Sequence, residues 1–467
     1  MNGKSTILFI LGICFFAGMK ASGQNIQYVM PEESSIHEGT WLQWPHQYTY
    51  GMAYRNRLDQ TWVDMTKAIA GSEKVHIIAY NNSEQNRIVD LLNTAGIPLT
   101  NIDFYIHPTD DVWVRDNGPV FVYDTLNNIK ILDWGFNGWG NDAPYSFDDI
   151  IPQNISNDIG ITRLDLSAMV LEGGSIEHDG HGTMIATKSS VTHSSRNPGL
   201  TQAQVEDYLT DYMGITKFIW LDGLYGTEIT DMHIDGFARF ANDSTIVTMN
   251  NTDLAYWEVP TADITTLYNA SNVNNSAYRL VYIPLTHNDV TTLYGNNLGY
   301  KGSYVNYYIA NTAILVPNYN DPNDTVANNI IQSLYPGKTV TGIDVRNLYE
   351  NGGMVHCVTQ QQPVSHGSFD INRTSGIKAE LFQNIPNPFI DHTTITFTLK
   401  VNATVSLIIY NIFGQKISTL VNSEMDKGTH SVSLNSATFE SGIYTYVLTL
   451  NNTMLISKKM NVNKKFR

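Results

Sequence analysis

Four segments of this 467-residue chain gather polar groups where a packed strand or helix would not put them. They are Asp110-Asp111-Val112-Trp113-Val114-Arg115-Asp116, Leu171-Glu172-Gly173-Gly174, His233-Ile234-Asp235 and Asn351-Gly352-Gly353-Met354-Val355-His356-Cys357. Between them they offer a thiol, imidazoles and several carboxylates. Attack on a guanidinium carbon needs that set: a thiolate nucleophile, carboxylates to grip the planar cationic fork, and an acid for departing ammonia. Two carboxylates on different edges of a guanidinium fix both its place and its orientation, and Asp116 and Asp235 are the candidates. His-x-Asp in a strand turns both side chains to one face, so His233 and Asp235 are expected to share a cavity. Gly352-Gly353 allows close backbone approach in a turn ahead of Cys357. Taken singly, each signal has a plainer reading as a solvated acidic loop, a surface pair, a connecting turn or a buried thiol. The combination carries the argument.

Composition narrows the remaining classes. With 28 Lys+Arg against 44 Asp+Glu, the formal net charge is −16, which repels a polyphosphate backbone and leaves no basic stripe for one. Nucleic acid is therefore not an expected partner, whereas an acidic surface suits a cationic substrate as well as plain solubility. The chain opens Met1-Asn2-Gly3-Lys4, runs apolar from Ile7 to Phe16, and reaches Ala21-Ser22-Gly23 before Gln24. That is the order of a secretory signal over residues 1–23, with cleavage expected before Gln24. The apolar run is too short to span a bilayer, so no transmembrane anchor is expected after signal removal. Removal takes Cys14 away and leaves Cys357 as the one thiol, with no intramolecular disulfide to form.

These side chains must be positioned by an alternation of helices and strands. Leu58, Trp62, Met65 and Ile69 make one helical face, and 75–80 then reads as a strand. Thr201 with Gln204 is a capping box opening a helix that Gly214 can close, followed by a strand over 217–221. A helix over 325–335 and a strand over 340–345 repeat the scheme. Alternation of this kind predicts an α/β architecture without choosing between a doubly wound sheet, a barrel and a propeller. From 367 to 379 the chain turns polar and aperiodic, which reads as a linker. Beyond it, 393–399, 405–410 and 444–450 are β-branched or alternating strands separated by turn residues, so 380–467 is a small all-β module.

Residues 25–366 resemble the agmatine deiminase and bacterial peptidylarginine deiminase family of the guanidine-modifying superfamily. The resemblance rests on Trp113-Val114-Arg115-Asp116-Asn117-Gly118-Pro119, Phe136-Asn137-Gly138-Trp139-Gly140, Leu171-Glu172-Gly173-Gly174, His233-Ile234-Asp235 and Ser303-Tyr304-Val305-Asn306. Gly352-Gly353 and His356-Cys357-Val358-Thr359-Gln360-Gln361-Gln362-Pro363 complete it. It implies a five-bladed α/β propeller, the pentein fold, with the site at its centre and neither metal nor organic cofactor. It implies Cys357 as nucleophile, His233 as acid and then base, and Asp116 and Asp235 as guanidinium clamps. Asn306 would support the catalytic group, Glu172 would stiffen or orient the site, and Trp113 would pack along the substrate's aliphatic arm. Asp110 and Trp139 join Trp113, Glu172 and Asn306 among the expected substrate-binding residues. Met232 departs from the pattern, since many relatives carry glycine before the histidine. The implied reaction is hydrolytic deimination, from agmatine to N-carbamoylputrescine and ammonia through a cysteine thiouronium. The loop at 136–140 resembles the agmatine form, and no arginine stands where peptide-processing relatives place groups that grip a carboxylate. Conversion of peptide arginine to citrulline, amidino transfer to an amine and a catalytically dead binder are the alternatives.

The C-terminal module has a resemblance of its own. Gln383-Asn384-Ile385-Pro386-Asn387-Pro388-Phe389, Tyr410-Asn411-Ile412-Phe413-Gly414-Gln415-Lys416, Gly442-Ile443-Tyr444 and Lys458-Lys459-Met460 resemble a type IX secretion sorting domain. This implies the type IX machinery as a partner and a secreted or outer-surface location, with carbohydrate binding as the other use of such a module.

Overall fold

A computed structural model describes residues 28–365, 379–411, 416–450 and 454–464. The expected signal at 1–23, Cys14 and the expected linker up to residue 378 lie outside the described residues, while Ala379 already opens a strand. Up to Pro363 the strands form five small mixed sheets. Four of them share one plan: an antiparallel pair, a crossover, then a third strand parallel to the middle one. The three-strand cores are Val120–Asp124, Ile129–Gly135 and Arg163–Val170; Ile176–His178, Thr183–Thr187 and Lys217–Leu221; Ala238–Asn242, Thr245–Thr248 and Arg279–Tyr282; and Tyr308–Ile309, Ala313–Asn318 and Thr339–Asp344. The fifth sheet joins the two ends of the region. Gln360–Pro363 pairs antiparallel with His37–Gln43, which continues in parallel through Lys74–Ala79 to Ile102–Ile106. Five sheets closed in this way are compatible with the expected five-bladed propeller.

The crossovers form where the sequence places apolar stripes and caps. Helix Gln47–Ile69 buries Leu58, Trp62, Met65 and Ile69, each worth roughly 1.5–3 kcal/mol of removed apolar surface. Helix Gln202–Met213 starts in the expected capping box, with Thr201 and Gln204 exchanging hydrogen bonds, and ends on Gly214 in the left-handed region at φ 75°. Helix Asn323–Leu334 precedes strand Thr339–Asp344, as the alternation predicted.

One short segment follows the last strand of each sheet and leads into the next. These are Val114–Asn117, Gly173–Ser175, Ile234–Gly236, residues 303–306 and His356–Val358. Val114–Asn117 packs on both Gly173–Ser175 and His356–Val358, and Gly173–Ser175 packs on Ile234–Gly236. The fold thus gathers chain segments more than 200 residues apart. The C-terminal region is all-β: sheets of three and four antiparallel strands share a core that includes Phe389, Phe397, Leu407 and Leu448. Strand His392–Leu399 alternates exposed and more buried residues, the period of a half-buried strand.

Candidate active site

Every gathered segment contributes side chains. Asp116 sits in the single helical turn Val114–Asn117, and Glu172 immediately precedes the 3-10 turn Gly173–Ser175. His233 precedes the turn Ile234–Gly236 that holds Asp235, Asn306 lies two residues before strand Tyr308–Ile309, and Cys357 lies in His356–Val358. The strand expected at His-x-Asp is corrected: the chain there is a 3-10 turn. It reaches that turn through Asp231 and Met232, both left-handed at φ 56° and 71°. Left-handed backbone costs a residue with a Cβ roughly 1–2 kcal/mol, which explains why glycine suits the place of Met232. Here the turn is held by Glu228, which accepts from the Met232 amide at 2.5 Å.

Despite the changed local structure, His233 and Asp235 do face one centre. A Cβ on Gly174 would lie 2.7 Å from His233 Nδ1, 2.9 Å from Asp116 Oδ1 and 3.2 Å from Asp235 Oδ2. His233 uses its other nitrogen on Glu172, with Nε2 2.7 Å from Oε2. Asp116 accepts from the Trp139 indole at 3.0 Å and the Gly174 amide at 2.9 Å. Both donors are neutral, and His233 Nδ1 stands 3.8 Å away. Asn306 donates through Nδ2 toward Cys357 Sγ at 3.4 Å and accepts the His356 amide at 2.9 Å. The thiol is 3.9 Å from Asp235 Oδ2.

Electrostatics separates these groups by task. Burial and the neighbouring charges of Glu172 and Asp235 push Asp116 up to about 6, against the pull of His233. Burial would depress His233, but Asp116, Glu172 and Asp235 raise it to about 9, so it carries a proton at neutral pH. Asp235 is buried too, yet the His356 hydrogen bond and the His356 and His233 charges hold it below the usual carboxylate range. Burial and then the charges of Asp235 and Asp116 push the Cys357 thiol well up. A cation lying between those two carboxylates would relieve this and favour thiolate.

Of the residues singled out from the sequence, Cys357, His233, Asp235, Asp116, Glu172, Asn306 and Trp139 form one connected cluster. Trp113 covers Gly353, where a Cβ would collide with its ring. Asp110 stands apart: its carboxylate accepts the Phe147 amide at 2.6 Å, and among the described residues it has no hydrogen bond into the cluster. Sequence reasoning missed Arg196, Glu33 and a role for His356. Arg196 is buried, donates from Nε to Glu172 Oε1 at 2.8 Å and pairs with Asp231. His356 bridges Asp235 and Glu33 at 2.8 Å on each side. Arg115 is committed as well, donating to Gln361 Oε1 at 2.9 Å and facing Glu33 at 3.5 Å.

Residues 29–363 match the model of the Porphyromonas-type peptidyl-arginine deiminase family, and residues 384–463 match the Secretion system C-terminal sorting domain. An agmatine deiminase of Pseudomonas aeruginosa is 32% identical over 357 residues, covering 72% of this chain and 95% of that protein. Among solved structures, agmatine deiminase of Enterococcus faecalis aligns with a TM-score of 0.63 and 26% identity, covering 72% of this chain and 96% of that one. A C. jejuni agmatine deiminase with substrate bound shares the fold at a TM-score of 0.62 and 24% identity, over 74% of this chain and 99% of that one.

Proposed function

Because the chain belongs to the Porphyromonas-type peptidyl-arginine deiminase family, we propose that it hydrolyses agmatine to N-carbamoylputrescine and ammonia through a covalent adduct on Cys357. Deimination of a guanidinium compound, a hydrolysis of its C–N bond, is the activity of the family. The C-terminal sorting domain sends the protein by the type IX route to the cell surface or outside.

The observation that carries the reading is Asp116: a buried carboxylate that, among the described residues, accepts hydrogen bonds from a neutral indole and a neutral amide alone, and whose Oδ1 converges with Asp235 and His233 on one point beside Gly174. His233, 3.8 Å away, offsets this buried anion only in part, since Asp116 is still raised to about 6, and a guanidinium between Asp116 and Asp235 supplies the rest. With the bound cation favouring the thiolate and the thiol proton lost to solvent, Sγ of Cys357 bonds to the guanidinium carbon, and the C–N bond breaks as His233 passes its proton to departing ammonia. Nδ1 of His233, which faces the centre, next takes a proton from water as the water oxygen bonds to the thiouronium carbon. The S–C bond breaks, releasing the ureido product and the thiolate. Glu172 holds the ring by Nε2, Asn306 supports the sulfur, and Trp113 and Trp139 wall the substrate. No metal or organic cofactor enters these steps.

Agmatine is favoured over arginine because the buried arginines beside the cluster are each ion-paired: Arg196 with Glu172 and Asp231, Arg239 with Glu33 and Glu177, and Arg115 with Glu33 at 3.5 Å, although Arg115 Nη2 makes no hydrogen bond. A substrate carboxylate near Asp116 would meet repulsion, with no unpaired arginine beside it among the described residues. Peptide arginine is the second reading, favoured by the matching family's peptidyl-arginine description together with export. Ammonia release from agmatine, free arginine and an arginine-terminated peptide decides. The highest kcat/KM is expected on agmatine; a clear preference for the peptide overturns the substrate choice and leaves the thiol chemistry standing.

A further inference from the structure

His356 adjoins the thiol in sequence, and its ring bridges a carboxylate of the reacting centre and one outside it: Nδ1 to Asp235 Oδ2 and Nε2 to Glu33 Oε2, both at 2.8 Å. An imidazole satisfies acceptors at both nitrogens only when both carry hydrogen. Glu33 lies on the segment between strands Tyr28–Val29 and His37–Gln43, far from the other site residues in sequence. It is anchored there from several directions. Oε2 also accepts from Arg239 Nη2 at 2.8 Å, Oε1 accepts the Ile309 amide at 2.8 Å, and Arg115 Nη2 stands 3.5 Å away.

We infer that Glu33 is a positioning residue of the active site, acting through His356 to fix the carboxylate of Asp235 against the guanidinium and the thiol. This inference rests on the proposed clamp role of Asp235. One oxygen of Asp235, Oδ2, serves three geometries at once: 2.8 Å from His356, 3.9 Å from the sulfur, and 3.2 Å from the point where Gly174 would carry a Cβ. A carboxylate so placed needs a partner behind it that does not turn, and Glu33 meets that need by occupying the far nitrogen of His356. The charges agree. Despite burial, Arg239, His356 and Arg115 hold Glu33 well below the usual carboxylate range, so it remains ionised opposite the ring. Arg239 is itself buried and paired with Glu177 at 2.7 Å, which keeps Glu33 from drifting. The chain's N-terminal described segment is therefore part of the site.

The test is a double-mutant cycle in the full chain: wild type, Glu33→Gln, Asp235→Asn and the double variant, with kcat and KM from ammonia release. It uses whichever guanidine compound the wild type turns over, so a wrong choice of agmatine leaves it intact. Glu33→Gln keeps the shape and loses the charge. It is expected to lower kcat/KM roughly 10- to 100-fold and to divide the loss between KM and kcat as Asp235→Asn does. The double variant is expected to be no worse than Asp235→Asn alone. Should Glu33→Gln fail to fold, His356→Asn replaces it in the cycle. Its amide can still donate to Asp235 but no longer reaches Glu33, and its loss must likewise vanish in the Asp235→Asn background. Wild-type kcat/KM in the folded single variant, or losses that simply add in the double, overturn the inference.

Discussion

At the scale of single residues the site is a set of carboxylates whose charges are held apart by different partners. Asp235 is held below the usual carboxylate range by His356, whereas burial raises Asp116, whose hydrogen-bond donors among the described residues are neutral, to about 6, and His233 beside them is raised to about 9. The pH dependence follows from the protonation each role needs. As pH falls through about 6, Asp116 gains a proton and no longer attracts the cation. As pH rises through about 9, His233 loses the proton destined for ammonia. The kcat/KM profile is therefore expected to fall as pH drops through about 6, and Asp116→Asn is expected to lower kcat/KM and remove this acidic limb. A variant that keeps both the limb and wild-type kinetics shows that Asp116 is not a clamp. The sequence pointed to Cys357, His233, Asp235, Asp116 and Glu172 only through the combination of their segments and the family resemblance, since each segment alone has a plainer reading; the fold brings them together. Glu33 was not legible in the sequence. It lies in the run Pro31-Glu32-Glu33-Ser34-Ser35, which reads as a solvated turn, and nothing local reports that it is buried 323 positions from its partner His356.

The elements that present these residues are short turns, and this is where local pattern was least informative. His-x-Asp suggested a strand by its period, but two consecutive left-handed residues redirect the chain into a 3-10 turn, and tertiary packing overrides the two-residue repeat. Longer elements were legible, because caps and a continuous apolar stripe are local features: the helix opened by Thr201 and Gln204 and the face from Leu58 to Ile69 both form. Gly174 belongs to the turn scale and gives the sharpest test of it. Adding one methyl there intrudes on His233, Asp116 and Asp235 together, the three atoms nearest to it. Gly174→Ala is expected to reduce kcat/KM by at least about 100-fold with the cooperative thermal transition retained, since misplacement by an ångström is that costly to chemistry. Wild-type turnover in this variant, measured beside its melting curve, would show that the three groups do not act at one point.

Over the whole molecule, alternation of helix and strand predicted the α/β class but not the five sheets or their closure. The closing pair joins Trp41, whose indole donates to Gln362 across 321 positions, and no local spacing encodes such a pairing. The two matched regions divide labour between catalysis and transport. Deleting residues 380–467 is expected to leave deiminase activity in the remaining protein while holding it within the cell envelope, followed by assaying envelope and medium; normal export of the truncated chain contradicts the sorting role. The central claim, that one thiol carries the reaction covalently, is tested most directly by quenching the intact chain during turnover of agmatine and weighing it, with ammonia release followed in parallel. The account predicts a single amidino-type adduct on wild type, none on Cys357→Ala, and ammonia release from that variant reduced by about 10⁴ or more. Turnover by Cys357→Ala within about tenfold of wild type contradicts it.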